Sequence, residues 1–512
     1  MHFKINRGGL FAPVLFCQYM KKTLFVFLLL FGVSAVNAQV FDWNANCVKA
    51  YHDAISLKLS KAHAALSLEK QRNPANLVPD FIENYIDFFI LFLNEDPKER
   101  SARISNWQKR LTLMDQSPDT SPFKLFSKAV INLQWAVVEI KFGNRWAAGW
   151  AFKDAFKLAR QNQEKFPSFT PNLMITGPMQ MAAGTIPKNY RWLSNIMGIK
   201  GTMEQGVTYL NQFINSRDPW TMLFMEEGIF YQCYMQFYLL NQPDEALRFI
   251  TNKQLDVINN HLFTYMAANL YLNNKQSSQC KTIVLGRNTS SEYLSTGIWD
   301  FELGFAKLYH LEPDANTYFE RFLANFKGNF YVKDAWLKLS MHYLLQNNMA
   351  QYNRCISNVI SKGSTTNDAD KRALREAKSR KIPNLLLLKA RLLNDGGYNR
   401  EALNVLAGKS SNDFKPEEEK LEFMYRVGRI YDDLDRFEEA LKAYQSAINL
   451  GKQRTEYYAA RAALQMGMIY EKQGNLTKAV VYYQQCLDME DHDFKDSLDQ
   501  KAKAGLSRCK SK

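Results

Sequence analysis

Glycine and proline are scarce in this chain of 512 residues, which contains 24 glycines and 15 prolines. No stretch is rich in serine and glycine. Long linkers and disordered segments are built from such residues and are therefore not expected. Hydrophobic residues make up 46% of the chain and aromatic residues 13%. That content is enough for a large, continuous buried core.

The sequence also lacks the motifs of common enzyme and metal sites. It contains no H-E-x-x-H, no G-x-S-x-G and no phosphate-binding G-x-x-x-x-G-K-[ST]. His52 and His63 are eleven residues apart; on one helix they would be three turns apart, too far to share a metal ion. We therefore predict that the protein is not an enzyme and has no catalytic residues, no metal site and no cofactor.

Charge of one sign is not concentrated anywhere in the chain. The 65 lysines and arginines exceed the 51 aspartates and glutamates, which gives a formal net charge of +14. The basic residues are scattered among acidic ones and form no stripe interleaved with aromatic residues, so nucleic-acid binding is not predicted. The basic excess leaves a peripheral association with an anionic membrane surface open.

Cysteine is also infrequent, and no two cysteines form C-x-x-C. Cys486 and Ala447 occupy the same position in two copies of a pattern that lies between residues 421 and 486. This equivalence marks Cys486 as a small core residue. We predict buried thiols rather than a disulfide framework. The seven cysteines are Cys17, Cys47, Cys233, Cys280, Cys355, Cys486 and Cys509.

Residues 1–38 have the character of an export signal preceded by an extension. A short basic segment that begins at Met20 precedes an apolar run, which ends in small residues before Gln39. Residues 1–19 are thus predicted to precede the true start. The apolar run is short for a membrane-spanning helix, although an uncleaved anchor stays open. The predicted location is exported, in the periplasm or associated with the outer membrane.

The segment from Leu421 to Cys486 contains one pattern twice. In each copy a glycine is followed by a tyrosine three residues later, by an alanine twelve residues after the glycine, and by a second tyrosine four residues after the alanine. Small residues at this spacing let two antiparallel helices approach where they cross, and the aromatic rings fill the space beside them. The two sets are Gly428, Tyr431, Ala440 and Tyr444, then Gly467, Tyr470, Ala479 and Tyr483.

This pattern resembles that of the tetratricopeptide-repeat (TPR) family, W-x2-L-G-x2-Y…A-x3-F. The resemblance implies an all-α fold, a right-handed α-solenoid of TPR and TPR-like helix pairs whose inner groove binds peptides or protein segments. With the export signal, the chain looks like the exported TPR proteins of Bacteroidota-type bacteria. The resemblance implies no particular ligand.

Fainter copies of the pattern predict that the array extends through most of the chain. One copy has Ala136, Ala148 and Phe152 at the marker positions, with Gly143 in the turn. Residues 166–201 are the least repeat-like and are rich in proline and glycine, which predicts a covering loop or a docking surface. We divide the chain into four regions: 1–38, extension and signal; 39–210, N-terminal TPR-like helices; 211–380, degenerate TPR-like repeats; and 381–512, a C-terminal TPR array with a capping helix.

The resemblance implies that the first helix of each C-terminal unit lines the groove. Arg391, Arg429 and Arg461 lie on successive helices and suit a ligand with acidic or carbonyl groups. Their pairing with Glu422, Asp432 and Glu471 is the alternative. The carboxylate clamp of chaperone-binding TPRs is not expected, because it needs Lys and Asn where this chain has Tyr425 and Arg429. The candidate groove residues are Asn384, Leu387, Arg391, Glu422, Tyr425, Arg429, Asp432, Arg461, Leu464, Met468 and Glu471.

The sequence is compatible with two functions. The first is an exported, non-catalytic scaffold that binds a protein or peptide partner in the cell envelope. The second is a glycan- or nutrient-capture protein that works with an outer-membrane transporter, with tryptophans stacked on sugars. The spacing of Trp146 and Trp150, four residues apart on one predicted helix, favours core packing for these two rings instead. The tryptophans considered are Trp135, Trp146, Trp150 and Trp192.

Overall fold

The structure is a computed structural model that describes residues 39–184 and 201–510. The predicted export signal and Trp192 lie outside these residues. Within them the chain is all-α, and its only extended pairing is an isolated bridge between Val40 and Asn76. The all-α prediction is confirmed.

Helices follow one another through short turns along the whole described chain. The first group is α1 (Ala45–Ile55), α2 (Leu59–Arg72), α3 (Val78–Asn94), α4 (Pro97–Met114), α5 (Pro122–Lys141), α6 (Arg145–Lys165) and α7 (Pro171–Gly184). The second is α8 (Met203–Asn215), α9 (Pro219–Tyr234), a π-helical turn (Met235–Leu239), α10 (Pro243–Asn252), α11 (His261–Asn273), α12 (Ser277–Gly286), α13 (Ile298–Tyr309), α14 (Ala315–Asn325), α15 (Val332–Leu345), α16 (Met349–Ser361) and α17 (Asp368–Lys378). The C-terminal group is α18 (Leu385–Asp395), α19 (Asn399–Val405), a 3-10 turn (Ser411–Asp413), α20 (Glu417–Asp432), α21 (Phe437–Gly451), α22 (Tyr458–Lys472), α23 (Leu476–Asp488) and α24 (Lys495–Lys510).

Consecutive helices pack as pairs, and each pair packs on the next. The most extensive pairings are α5 with α6, α7 with α8, α15 with α16, α20 with α21 and α22 with α23. Such stacking makes a solenoid, because each unit buries its apolar face against its neighbours. At the C-terminus, α24 packs on both α22 and α23. Its predicted capping role stays a prediction.

The glycine–tyrosine pattern sets how closely the C-terminal pairs approach. A Cβ atom built on Gly428 would lie 2.5 Å from Cδ1 of Tyr444, and one on Gly467 would lie 2.6 Å from Cδ1 of Tyr483. Only glycine therefore fits at these crossings. Cys486 is fully buried, as its position in the repeat predicts.

The first helical stretch of the chain is divided into two helices. The apolar periodicity of residues 45–71 reads as one helix, but the structure has two, α1 and α2. Leu57, in the turn between them, has φ 64°, a left-handed conformation that ends a helix. His52 and His63 therefore lie on different helices. In residues 39–184 and 201–510, no group of three metal-ligating side chains comes together.

Residues 171–184 of the predicted loop form α7, which is a correction. This helix packs along α8, and a Cβ on Gly206 would lie 2.6 Å from the carbonyl oxygen of Gly177. These glycines therefore allow α7 and α8 to pack closely and do not form a loop. Residues 185–200, the rest of the unusual segment, lie outside the described residues.

The cysteine prediction is confirmed for the described thiols. Cys47, Cys233, Cys280, Cys355 and Cys486 are free and buried, and Cys509 is buried as well. No helix among the described residues has the length and apolar character needed to cross a bilayer.

Candidate binding groove

The first helices of the last three units, α18, α20 and α22, lie side by side, and α17 lies near one end of them. A cleft of about 500 Å³ opens between α17, the segment 379–384, the start of α20 and the start of α22. Arg391, Glu376 and Glu422 line it together with the rings of Tyr457 and Tyr458. The cleft therefore offers charges of both signs and aromatic surface.

Arg391 reaches this cleft from α18 and is shared between two carboxylates. Its guanidinium lies 3.5 Å from Glu376 and 3.8 Å from Asp395. Glu376 belongs to α17, outside the repeat pattern. Both distances are long for an ion pair with hydrogen bonds, so Arg391 keeps donor capacity for a ligand.

Arg429 and Arg461 continue the row on α20 and α22. Arg429 donates a hydrogen bond of 3.2 Å to the hydroxyl of Tyr425 and lies 4.0 Å from Asp433. The Nε atoms of Arg429 and Arg461 are buried without a hydrogen-bond partner. Buried donors without acceptors are unfavourable, and an acidic or carbonyl ligand would satisfy them.

The expected pairing of these arginines with Glu422, Asp432 and Glu471 is wrong, because other residues engage those carboxylates. Glu422 accepts two hydrogen bonds from Arg426, at 2.8 and 3.0 Å. Asp432 accepts hydrogen bonds from the hydroxyl of Tyr444 and the side-chain amide of Gln465. Glu471 accepts hydrogen bonds from Tyr483 and Arg508.

The lowered pKa of Tyr425 indicates a positive electrostatic potential inside the C-terminal array. Burial alone would raise the pKa of the Tyr425 phenol, but the guanidinium groups of Arg429, Arg461 and Arg426 outweigh it and hold the pKa below its ordinary value. Burial and the repulsion of Arg461 and Arg429 also lower the pKa of Lys501. The interior of the C-terminal array thus favours a negative ligand.

The remaining candidate residues divide between the core and the surface. Leu387 and Leu464 are buried in the hydrophobic core and do not line a groove, and Tyr425 is only 2% exposed. Asn384 accepts hydrogen bonds at the start of α18 and donates one of 3.0 Å to Glu419. Met468 is 42% exposed.

Sequence reasoning missed Arg426 and Lys501. Arg426 is 4% exposed and lies over the rings of Tyr425 and Tyr458, 5.5 and 5.7 Å from their centroids. Its position four residues after Glu422 on one helix is a signal that could have revealed it. Lys501 comes from the capping helix α24, which no repeat pattern relates to the groove.

The tryptophan prediction also needs correction. Trp135 is buried, but Trp146 and Trp150 on α6 are 62% and 49% exposed. These two rings therefore belong to the surface rather than to the core. Lys153 lies 4.7 Å above the ring of Trp150.

Comparison with known proteins agrees with the helix pairs of the C-terminal array. Residues 420–490 match the family model described as tetratricopeptide repeat, a span that contains both copies of the glycine–tyrosine pattern. Among solved structures, the chain is similar to one titled "Crystal structure of APC/C hetero-tetramer Cut9-Hcn1", with 12% sequence identity and a TM-score of 0.29 over 97% of this chain and 94% of that chain. No curated protein gives a significant match.

Proposed function

We propose that the protein is an exported, non-catalytic scaffold whose C-terminal groove binds an acidic segment of a protein partner in the cell envelope. TPR-type arrays bind protein segments in general. The observation that carries the proposal is the set of Arg391, Arg429 and Arg461, with two buried Nε donors that have no hydrogen-bond partner among the described residues. The aromatic rings beside the row would hold the backbone and apolar side chains of such a segment.

The groove part is tested by affinity capture from envelope extract with two variants of equal charge change. Arg391, Arg429 and Arg461 are changed to alanine in one variant; in its control, the exposed Arg145, Arg217 and Arg248 are changed to alanine. We expect the groove variant to lose a partner that the wild type and the control both retain. A third variant with lysine at the three groove positions, together with thermal melts, separates loss of charge from loss of folding. Equal capture by all variants would contradict the groove.

The export part rests on the sequence of residues 20–38 and has its own test. Cell fractionation should find the protein in the periplasm or the outer-membrane fraction, and mass spectrometry should find a mature N-terminus at Gln39. Peptides from residues 1–19 in the native protein would refute the predicted start. Recovery in the cytosol would refute export, whatever the groove binds.

Capture of glycans in concert with an outer-membrane transporter is the second candidate, and one observation favours it. Trp146 and Trp150 expose their rings four residues apart on α6, an arrangement that can stack on sugar faces. A glycan array with the wild type and a W146A/W150A variant tests it. Binding that disappears in this variant but persists in the groove variant would favour glycan capture.

A further inference from the structure

A buried carboxylate lies in the middle of the chain, on α13. Glu302 is fully buried. Asn269 on α11 donates a hydrogen bond of 3.1 Å to its Oε1 atom, whereas its Oε2 atom, also buried, has no hydrogen-bond partner. A buried carboxylate oxygen without a donor is unfavourable. In the described part of the chain, Glu302 also forms no ion pair with a basic side chain.

Two stacked tyrosines flank Asn269. The rings of Tyr234 and Tyr238 have centroids 5.9 Å apart and planes inclined by 19°. Their hydroxyls lie 3.5 and 3.4 Å from Oδ1 of Asn269. The amide of Asn269 is thereby oriented with its nitrogen toward Glu302.

Tyr265 on α11 and Tyr331 at the start of α15 complete the surroundings. Burial is the main cause of the raised pKa of all four tyrosines, and the negative charge of Glu302 adds to it. We call Tyr234, Tyr238, Tyr265 and Tyr331 the tyrosine cage. Tyr238 and Tyr331 are 49% and 38% exposed, and Tyr234 and Tyr265 are half-buried, so the cage reaches the protein surface.

Two unusual backbone features position the cage. Tyr238 lies in the π-helical turn Met235–Leu239, a rare structure that is frequent at functional sites. Tyr331 has φ 63°, which is rare for a bulky residue. Its N–H donates a hydrogen bond of 2.8 Å to Asp370, which holds that conformation. Both conformations cost energy that the surrounding contacts must offset.

The same molecule shows what such a group of side chains binds. The ammonium of Lys141 lies 4.4 Å from the ring centroid of Phe330, 4.8 Å from that of Phe92 and 6.0 Å from that of Tyr331. It also pairs with the carboxylate of Glu95 at 2.9 Å. Here a carboxylate and aromatic faces bind an alkylammonium group from the chain itself. Glu302 and the tyrosine cage have the same chemistry, share Tyr331, and lack the lysine.

We propose that Glu302, Asn269 and the tyrosine cage bind an alkylammonium group supplied from outside the chain. The carboxylate provides the counter-charge and accepts hydrogen bonds, and the tyrosine faces stabilise the cation. The source is either a lysine side chain of a partner or a free amine, since both present the same group. The site is separate from the C-terminal groove and does not depend on the function proposed for it.

Isothermal titration calorimetry with matched charged and uncharged probes tests the proposal. The charged probes are n-butylammonium chloride and Nα-acetyl-lysine methylamide; the uncharged ones are n-butanol and Nα,Nε-diacetyl-lysine methylamide. We expect only charged probes to bind. Glu302→Gln and Tyr238→Ala should each weaken binding about tenfold or more. Trp150→Ala, which removes an aromatic ring of equal exposure elsewhere, should leave binding unchanged.

The outcomes separate the sources and can overturn the proposal. Binding of the lysine probe alone identifies a lysine of a partner, and binding of both charged probes identifies free amines as sufficient ligands. No binding of either charged probe, equal binding of charged and uncharged probes, or wild-type affinity in both site variants overturns it. Circular dichroism verifies that each variant folds, and the groove variant should bind the probes like the wild type.

Discussion

The carboxylate of Glu95 accepts a hydrogen bond of 3.2 Å from the backbone N–H of Phe330, a residue 235 positions later in the chain. A second, longer one comes from the N–H of Asn329, and Lys141 pairs with the same carboxylate. Glu95 thus joins the end of α3 to the turn before α15. The superhelix therefore closes on itself here, and contacts are not confined to neighbouring units.

Loss of this link should loosen the turn before α15. Glu95→Gln removes the charge that Lys141 and the two N–H groups require, so we expect about 3 kcal/mol of destabilisation in urea denaturation. Hydrogen exchange at residues 326–331 should accelerate. Glu99→Gln, which affects a neighbouring exposed ion pair with Arg103, should change stability by less than about 0.5 kcal/mol. Equal exchange in the two variants would contradict the proposed role of Glu95.

The glycines of the C-terminal units give a second prediction. Gly467→Ala places a methyl group against the ring of Tyr483, and the displacement of that ring should cost about 1–3 kcal/mol. Gly286→Ala is the matched control, because this helical glycine has no atom within 4 Å of a new Cβ. The control should gain up to about 1 kcal/mol from its better helix propensity. Opposite shifts of the thermal midpoint check the argument, and a neutral Gly467→Ala would refute it.

These glycines show why part of the fold could be predicted from the sequence. The crossing of two helices in one unit needs a small residue and a large one at fixed spacing, and both Gly428 and Tyr444 lie within one unit. No comparable pair of residues indicates the break between α1 and α2 in the sequence. Leu57 adopts its left-handed conformation without glycine or proline, while the apolar period continues across it. Gly177 and Pro178 favour a loop in the sequence, but both lie inside the helix α7.

Part of the candidate site could also be predicted from the repeat pattern. Arg391 and Arg429 follow from the repeat period, because each comes one residue after the small residue of its unit, Ala390 or Gly428. Arg461 does not, since Met468 is the equivalent residue of the third unit. The partners of these arginines do not follow from the repeat period, because Glu376 comes from α17 and Lys501 from the capping helix. Glu302 and the tyrosine cage are still harder to predict from the sequence. Tyr234, Asn269 and Tyr331 belong to three separate units, and only the folded chain brings them together.

A third prediction concerns the carboxylate that links the N-terminal helices to α9. Glu227 is 5% exposed and accepts hydrogen bonds from Tyr51 at 3.0 Å, Tyr85 at 2.8 Å and Tyr231 at 2.8 Å. Glu227→Gln keeps the shape but replaces an acceptor oxygen by an NH2 donor that faces phenol hydroxyls. We expect a loss of about 2–3 kcal/mol in the free energy of unfolding.

The neighbouring Glu226 provides the control for that measurement. It is partly exposed and, in the part of the chain that the structure describes, pairs only with His52, at 3.3 Å. Glu226→Gln should therefore change the free energy of unfolding by less than about 0.5 kcal/mol. If the two variants unfold at the same urea concentration, the three tyrosine hydrogen bonds do not contribute as argued.

The last prediction is a pH dependence that belongs to Glu302. Burial raises its pKa from 4.5 to about 7, and the hydrogen bond from Asn269 offsets only part of that effect. The folded chain therefore holds a proton on Glu302 that the unfolded chain releases between these two pH values. Stability falls as the pH rises through this window. The full difference corresponds to about 3 kcal/mol.

The other titratable groups near Glu302 do not interfere in this range. The tyrosines of the cage and Cys280 have pKa values raised by burial and by the charge of Glu302 itself, so they stay protonated. Urea denaturation of the wild type and of Glu302→Gln at pH 4.5, 6 and 8 isolates the effect. The wild type should lose stability relative to the variant at each step, because glutamine carries no charge to bury. Parallel pH profiles for the two proteins would show that Glu302 is ionised at its ordinary pKa and would refute the effect of burial. Saturating n-butylammonium at pH 8 should restore much of the lost stability in the wild type but not in the variant, since a bound cation compensates the buried charge.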